Sequence, residues 1–281
     1  MLYRGKSDQI KSLLKEFTEQ GTWENLIVID SAETAQTESN NCLLLTDQVP
    51  SDQLVDLLFL KKVNHVVQFS NSDIKKNFEK AANLISKNDK ILRDPVGSIL
   101  ASAPQNQLRI PIFSGVDKEE VLNQVRNFVD AIPKSGTVRD SSLIVVHELL
   151  INVMYDAPKY YQEIYKQVKP TQPPSHFTGE VIVAFDDKKL LVGATDIFGS
   201  LNVEKLIARL YETFQSPMVT VKQDPGSGAG LGCRMIFDLC TELYFSVDRG
   251  NKTFVGACLP IGMSYRKQQT TPKNVHIVDI K

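Results

Sequence analysis

The segment "SSLIVVHELLINVMYDAP", residues 141–158, constrains the fold more than any other stretch of the chain. Its periodicity predicts a helix over 141–155. Leu143, Ile144, Val145 and Val146, then Leu149, Leu150 and Ile151, then Val153 and Met154 put apolar side chains on nearly every face of that helix. A helix apolar all round belongs in an interior. Glu148 and Asn152 nevertheless lie within it, four residues apart and so on one face. A carboxylate buried without a partner is costly. The two groups are therefore either satisfied by the backbone and each other, or they reach a common object.

Around this helix the chain divides into two patterns. Residues 1–90 alternate strands and helices: helix over 7–20, strands "NLIVID" and "CLLLTD", helix over 50–63, strand "HVVQF", helix over 72–87. That alternation predicts a small α/β domain with a parallel sheet. Residues 91–107, with their Pro, Ser and Asn content, read as a linker, although "VGSILAS" could pack. Residues 108–265 read as α+β. "LRIPIF" is a strand, and a helix over 117–131 has Asp117 as its N-cap. Two hairpins follow, "EVIVAFDDKKLLVGATD" and "ELYFSVDRGNKTFVGACLP", with helices over 202–214 and up to residue 239. The polar stretch 159–177 reads as an insertion loop and 266–281 as a loosely ordered tail.

Composition narrows the classes. In 281 residues, 32 Lys and Arg nearly balance 33 Asp and Glu, so no global charge points to nucleic acid or an anionic membrane. No apolar run reaches spanning length, and "MLYRGKSDQI" lacks the apolar core of a signal peptide. Cys42, Cys233, Cys240 and Cys258 have no CxxC spacing, and three of them sit in apolar runs. Free thiols in a reducing cytoplasm are the expectation. The four histidines show no metal-ligand spacing.

Two further motifs can carry chemistry. In "GATDIFGSL", Asp196 ends an apolar strand and Gly199 follows three residues later. An ionised carboxylate only accepts hydrogen bonds, so Asp196 can read an amino group such as adenine's, and Gly199 can let the base lie against the backbone. Alternatively the two close an ordinary turn. In "GSGAGLGCRMIFDLC", Gly226, Gly228, Gly230 and Gly232 alternate with small residues. The first three can form an anion nest, and a helix from Leu231 offers its positive end. No Lys-Ser/Thr follows them, so this is not a Walker loop, and the strand that precedes a dinucleotide fingerprint is missing.

Taken in order, "HELLINVMYDAP", "DIFGSL" and "GSGAGLGCRMIF" resemble the N-box and the two glycine boxes of the GHKL, or Bergerat-fold, ATPases, which include gyrase, heat-shock chaperones, histidine kinases and mismatch-repair ATPases. "TFVGACLP" resembles the last strand of that domain. The resemblance covers roughly 108–263, and the lead-in "LRIPIFSGVDKEEVLNQVRNFVDAI" looks most like the anti-sigma-factor and histidine-kinase-like branch. It implies a two-layer α+β sandwich that binds ATP and Mg²⁺. It implies Glu148 as general base, Asn152 as Mg²⁺ ligand and Asp196 with Gly199 at adenine. Gly228, Gly230, Leu231 and Gly232 would lie at the phosphates. Residues 200–227 would be the ATP lid, with Lys205, Arg209 and Lys222 as phosphate partners.

The chain departs from the family pattern in two places. Phe198 and Gly199 replace the usual Asp-x-Gly-x-Gly, and Tyr155 and Asp156 stand where kinases of this fold often carry a basic residue. The implied function is a cytoplasmic bacterial signalling protein that phosphorylates a protein partner or regulates it, as an anti-sigma-type serine/threonine kinase does. The alternative is a pseudokinase, a nucleotide-gated binding module. A mechanical ATPase is disfavoured, because no transducer domain is expected after Pro260. No phospho-accepting His on a dimerisation helix is expected, and His147 reads as an ordinary helix residue. A homodimer is left open, and neither nucleic acid nor membrane is an expected partner.

Residues 1–90 resemble a degenerate response-regulator receiver, in which "CLLLTDQVP" would place Asp47 as phospho-acceptor; an unrelated small α/β domain is the alternative. The first strand "MLYRG" has no acid, the steadying Lys position falls near Gln68, and one strand-helix pair is missing. Acetyl phosphate or beryllofluoride with Mg²⁺ should therefore leave the domain unmodified. An Asp47-dependent modification would overturn that expectation.

Overall fold

Short apolar runs become strands, and among the described residues ten strands join in one mixed sheet. The computed structural model describes residues 2–4, 27–28, 43–60, 63–69, 80–81, 83–84, 89–100, 104, 106–165, 177–215 and 228–280. The expected helix over 7–20 and most of that over 72–87 lie outside the described residues, as do Cys42 and residues 216–227.

Four strands are parallel: β1 (Leu2–Arg4), β2 (Ile27–Val28), β3 (Leu43–Asp47) and β4 (His65–Phe69), in the order β2-β1-β3-β4. Helix α1 (Ser51–Phe59) connects the last two and buries Leu54, Val55, Leu57 and Leu58. At the other end of the sheet, β5 (Asn106–Phe113), β6 (Phe177–Phe185), β7 (Lys189–Asp196), β8 (Glu242–Asp248) and β9 (Lys252–Pro260) pair antiparallel in the order β8-β9-β7-β6-β5. Pro111 sits on β5, an edge strand, where its missing N–H breaks no ladder.

The two sets are joined by β10 (Asn274–Ile280), which runs parallel to β8 and antiparallel to β4. Residues after Met263 are therefore not a loose tail. They form helix α9 (Tyr265–Gln269) and an interior strand, in which "NVHIVDI" is buried from Asn274 to Val278. The parts expected as separate domains, 1–90 and 108–265, hydrogen-bond through this strand into one sheet of α+β class.

Helices cover one face of the antiparallel part: α4 (Lys118–Asp130), α5 (Arg139–Ile151), which α6 (Ala157–Tyr165) follows, α7 (Val203–Gln215) and α8 (Gly228–Leu239). Asp117 caps α4 as expected, its carboxylate accepting from the Glu119 N–H at 3.0 Å. Helix α5 buries Val145, Val146, Leu149 and Leu150, but Ile144 reaches solvent, so its apolar surface is not wholly enclosed.

The opposite face is covered by the stretch expected as a linker. Helices α2 (Lys90–Arg93) and α3 (Pro95–Ile99) press Ile91, Leu92, Val96 and Ile99 onto Ile182, Leu191, Tyr244 and Phe254. The Lys252 ammonium donates to the Leu92 carbonyl at 2.9 Å. Apolar residues scattered among Asp and Pro were enough to make a lid for the sheet.

This second face holds a buried polar cluster. Glu242 accepts from Lys80 at 2.6 Å, from Lys189 and from the Tyr244 hydroxyl. Burial alone would raise the Glu242 carboxyl, but the two ammonium groups outweigh it and hold it well below the usual range. Beside it, His276 stacks on Tyr244 with ring centroids 5.1 Å apart, and its Nδ1 lies 3.4 Å from Nδ1 of His65, its register partner on β4. Cys233, Cys240 and Cys258 are free and buried, and burial pushes their thiols up to about 12, 11 and 12, as expected of inert cysteines.

The His65–His276 contact makes stability pH-dependent. Burial lowers His65 to about 4 and holds His276 well below its ordinary value, with Lys80 and Lys189 adding to the effect at His276 and Glu242 opposing it. An unfolded His takes up a proton near about pH 6.5. Between that pH and about 4 the unfolded chain binds protons that the folded chain refuses, so stability falls as pH falls. Urea unfolding over this window should show that slope, and His65→Gln should flatten it. An unchanged slope in the variant would refute the assignment.

Candidate functional site

The buried helix α5 does not stop at residue 151. It passes through a π turn, Asn152–Asp156, into α6 (Ala157–Tyr165), so the expected insertion loop is helical up to Tyr165. The Ala157 N–H reaches back to the Asn152 carbonyl, five residues away. In a plain α-helix a four-residue step drifts by roughly 40° around the axis. The wider turn takes up one extra residue and cancels much of that drift. Glu148, Asn152, Asp156 and Tyr160 consequently line one pocket.

That pocket has a volume of about 450 Å³. Its floor is the sheet: Ala194, Leu243, Phe245 and Val255, all apolar. Leu206 of α7 closes one side, and Leu231, Gly232, Met235 and Ile236 of α8 close another. Two polar side chains, Asp196 and Thr253, interrupt the apolar lining at the sheet. They are register partners on β7 and β9, so they project from the same face.

Asp196 Oδ1 accepts from the N–H groups of Phe198 at 2.8 Å and Gly199 at 3.1 Å. This is the turn-closing geometry that the sequence left open as an alternative. It does not consume the carboxylate, because a second oxygen remains. Burial raises the Asp196 carboxyl, against the pull of those N–H groups, Thr253 and Lys252. Thr253 is close enough to favour the charged form, yet its buried hydroxyl makes no hydrogen bond of good geometry. An apolar slot ending in a carboxylate oxygen and an under-satisfied hydroxyl suits a flat ring with a donor beside an acceptor.

Gly199 is not at the pocket. With φ +57°, it packs beneath the β8–β9 turn, where a Cβ would fall 2.0 Å from the Asp248 carbonyl oxygen. Its glycine is demanded by that turn. Gly228 and Gly230 belong to the first turn of α8, which begins three residues before the expected start at Leu231. Glycine is a poor helix former, costing about 1 kcal/mol against alanine, so this turn is held weakly. Leu231 is exposed at the pocket wall, and Gly226 lies outside the described residues.

Gly232 has a specific reason. A Cβ there would fall 2.0 Å from Glu148 Oε2, so the glycine lets α8 approach the carboxylate of α5. Glu148 is also 3.6 Å from Nδ1 of its half-exposed neighbour His147. The first part of the expected lid is not loose: α7 buries Val203, Ile207 and Leu210, and the Ser200 hydroxyl donates to the Ala157 carbonyl at 2.9 Å. Lys205 and Arg209 lie on α7, and Lys222 is outside the described residues. Burial raises the Asp156 carboxyl against the opposing charges of Lys159 and Arg209.

Sequence reasoning missed Thr253 and Tyr160. Thr253 becomes visible only through its register with Asp196, and Tyr160 only once the π turn is known. Among the described residues no group of three or more His, Cys, Asp or Glu side chains could hold a metal ion. None of the helices there is long and apolar enough to cross a membrane. No protein-family model matches the chain, and no curated protein does.

Gly232→Ala separates stability from site geometry. The clashing atom is the end of a flexible side chain, so it can move cheaply, while alanine favours the helix by about 1 kcal/mol. The variant should melt at or slightly above the wild-type temperature with the Glu148 carboxylate displaced. A crystal structure with Glu148 unmoved would contradict this.

Proposed function

We propose that the chain is an ATP-binding signalling protein of the histidine-kinase-like ATPase superfamily, with a Bergerat-fold domain over 108–265 that phosphorylates or regulates a protein partner. The observation that carries this reading is the Asp196–Thr253 pair at the floor of an apolar pocket walled by the Glu148–Asn152 face. The adenine amino group would donate to Asp196, and the Thr253 hydroxyl would complete its hydrogen bonding on the ring. Glu148 would accept the proton of an attacking hydroxyl or water. Asn152 offers an exposed amide oxygen, a ligand type that Mg²⁺ accepts when phosphates and waters complete its shell. Bound Mg²⁺ would supply charge neutralisation for the phosphates. The weakly held first turn of α8, with Gly228, Gly230 and Leu231, would form the phosphate end of the site.

Asp156 favours the second reading, a pseudokinase whose nucleotide sets partner affinity. It brings negative charge to the pocket on the same helix face as Glu148 and Asn152. The receiver-like reading of the N-terminal part draws support from the parallel order β2-β1-β3-β4 among the described residues, which matches the first four strands in the order of flavodoxin-like sheets.

Calorimetry with MgATP tests the proposal. Asp196→Asn should weaken binding at least tenfold, about 1.4 kcal/mol, because the amide can present a donor where adenine has one. Unchanged affinity in a folded variant removes Asp196 from the site. Glu148→Gln should bind ATP nearly normally and lose any turnover. If wild type turns nothing over with any partner and Glu148→Gln changes nothing, the pseudokinase reading stands.

A further inference from the structure

The two helices that flank the pocket, α7 and α8, are held from outside by the N-terminal part of the chain. Phe59 at the end of α1 stacks on Tyr211 of α7, ring centroids 4.6 Å apart. Helix α7 in turn grips α8. The Arg234 guanidinium lies 3.4 Å above the Phe214 ring, and Phe214 meets Phe237 edge-on at 5.6 Å.

The C-terminal end of α8 is capped by the segment that leads into β10. Lys273, 6% exposed, donates to the carbonyls of Phe237 at 2.8 Å, Asp238 at 3.2 Å and Cys240 at 2.6 Å. Gln268 donates to the Leu239 carbonyl. These are the carbonyls that a helix leaves without internal partners. Their ligand, Lys273, is read in turn by Gln68 of β4. The Gln68 amide donates to the Lys273 carbonyl at 2.8 Å, and its backbone N–H donates to the Asn274 side chain at 2.9 Å. Gln68 Oε1 then accepts from the Val49 N–H at 2.8 Å, just ahead of α1. The circuit closes: β4, the lead into α1, α1, α7, α8, Lys273, and back to β4.

We infer that this circuit makes the N-terminal part an intramolecular regulator of the pocket, so that its docking on α7 and on Lys273 sets the position of α8 against Glu148. The inference rests on the nucleotide reading of the pocket for its ligand, but its mechanical half does not. Helix α8 carries five pocket residues, Leu231, Gly232, Cys233, Met235 and Ile236, on the turns that lead into these anchors, and Gly232 permits its close approach to Glu148 of α5. A shift at its capped end is transmitted along a rigid helix to that contact. Linkage is reciprocal: whatever loosens the N-terminal part changes nucleotide affinity, and nucleotide changes the docking by the same factor.

The test uses the full chain. Phe59→Ala cuts the α1–α7 contact and Gln68→Ala cuts the β4–Lys273 contact. Leu60→Ala, at an exposed neighbour, is the control. Hydrogen exchange without nucleotide should accelerate at residues 231–236 in both variants, relative to amides of β6 and β7 in the same molecule. Phe59→Tyr, which keeps the ring, should restore the wild-type pattern. MgATP affinity should change by at least about fivefold in Phe59→Ala. Unchanged relative exchange at 231–236 in a folded Phe59→Ala protein overturns the inference, whatever Gln68→Ala does. A wild-type protein that binds no nucleotide refutes the nucleotide reading instead, and the exchange comparison still decides the mechanical coupling.

Discussion

The placement of β10 is the constraint on which the rest depends. Its seven residues pair with β8 along their whole length, and two of them pair with β4. Without this strand the parallel and antiparallel strand sets would each end in an unpaired row of backbone groups. With it, they share one sheet, and helices on both faces find a common support. The pairing with β4 is only two residues long, so side chains must add to it. His65 with His276, and Gln68 with Lys273 and Asn274, lie on either side of the strand junction.

Away from the pocket, two ammonium groups converge on one buried carboxylate. Lys80, from the N-terminal part, and Lys189, from the start of β7, meet at Glu242 at the start of β8. Such a cluster adds little net stability over well-packed apolar side chains, because each ion must be stripped of water. Its asymmetry matters more. Removing Glu242 would leave two buried ammonium groups without a counter-charge, so the three segments hold their relative positions together.

Much of the local structure was legible in the sequence. Strand β7 reads as a continuous apolar run because both its faces are covered, and Asp117 announces the start of α4. The carboxylate and amide of α5 do face a common pocket with Asp196, as their spacing suggested, although Glu148 is only partly buried and Asn152 is exposed. What stayed hidden was what long-range packing decides. The strand "NVHIVDI" follows the polar run "KQQTTPK", which drowned its pattern. The π turn leaves no periodicity of its own, since one additional residue between Asn152 and Ala157 looks the same as none. The linker's apolar residues have no helical spacing long enough to register, yet they pack onto one sheet face. Gly199 matched a nucleotide motif by sequence, while its positive φ answers to a neighbouring turn.

The interior position of β10 also governs the order in which the molecule can be assembled. His276 and its partner His65 are 211 positions apart in sequence. During synthesis β4 emerges long before the strand that will lie beside it, and β8 and β9 are complete while β8 still has one bare edge. Until residues 274–280 leave the ribosome, the nascent chain holds two half-sheets with open flanks, and Glu242 lacks the alignment that β10 imposes on β8. Pairings this distant in sequence are slow to find and leave sticky edges exposed meanwhile. Loss of residues 274–280 would thus strike the centre of the sheet, and a chain stalled before them would be prone to edge-to-edge association.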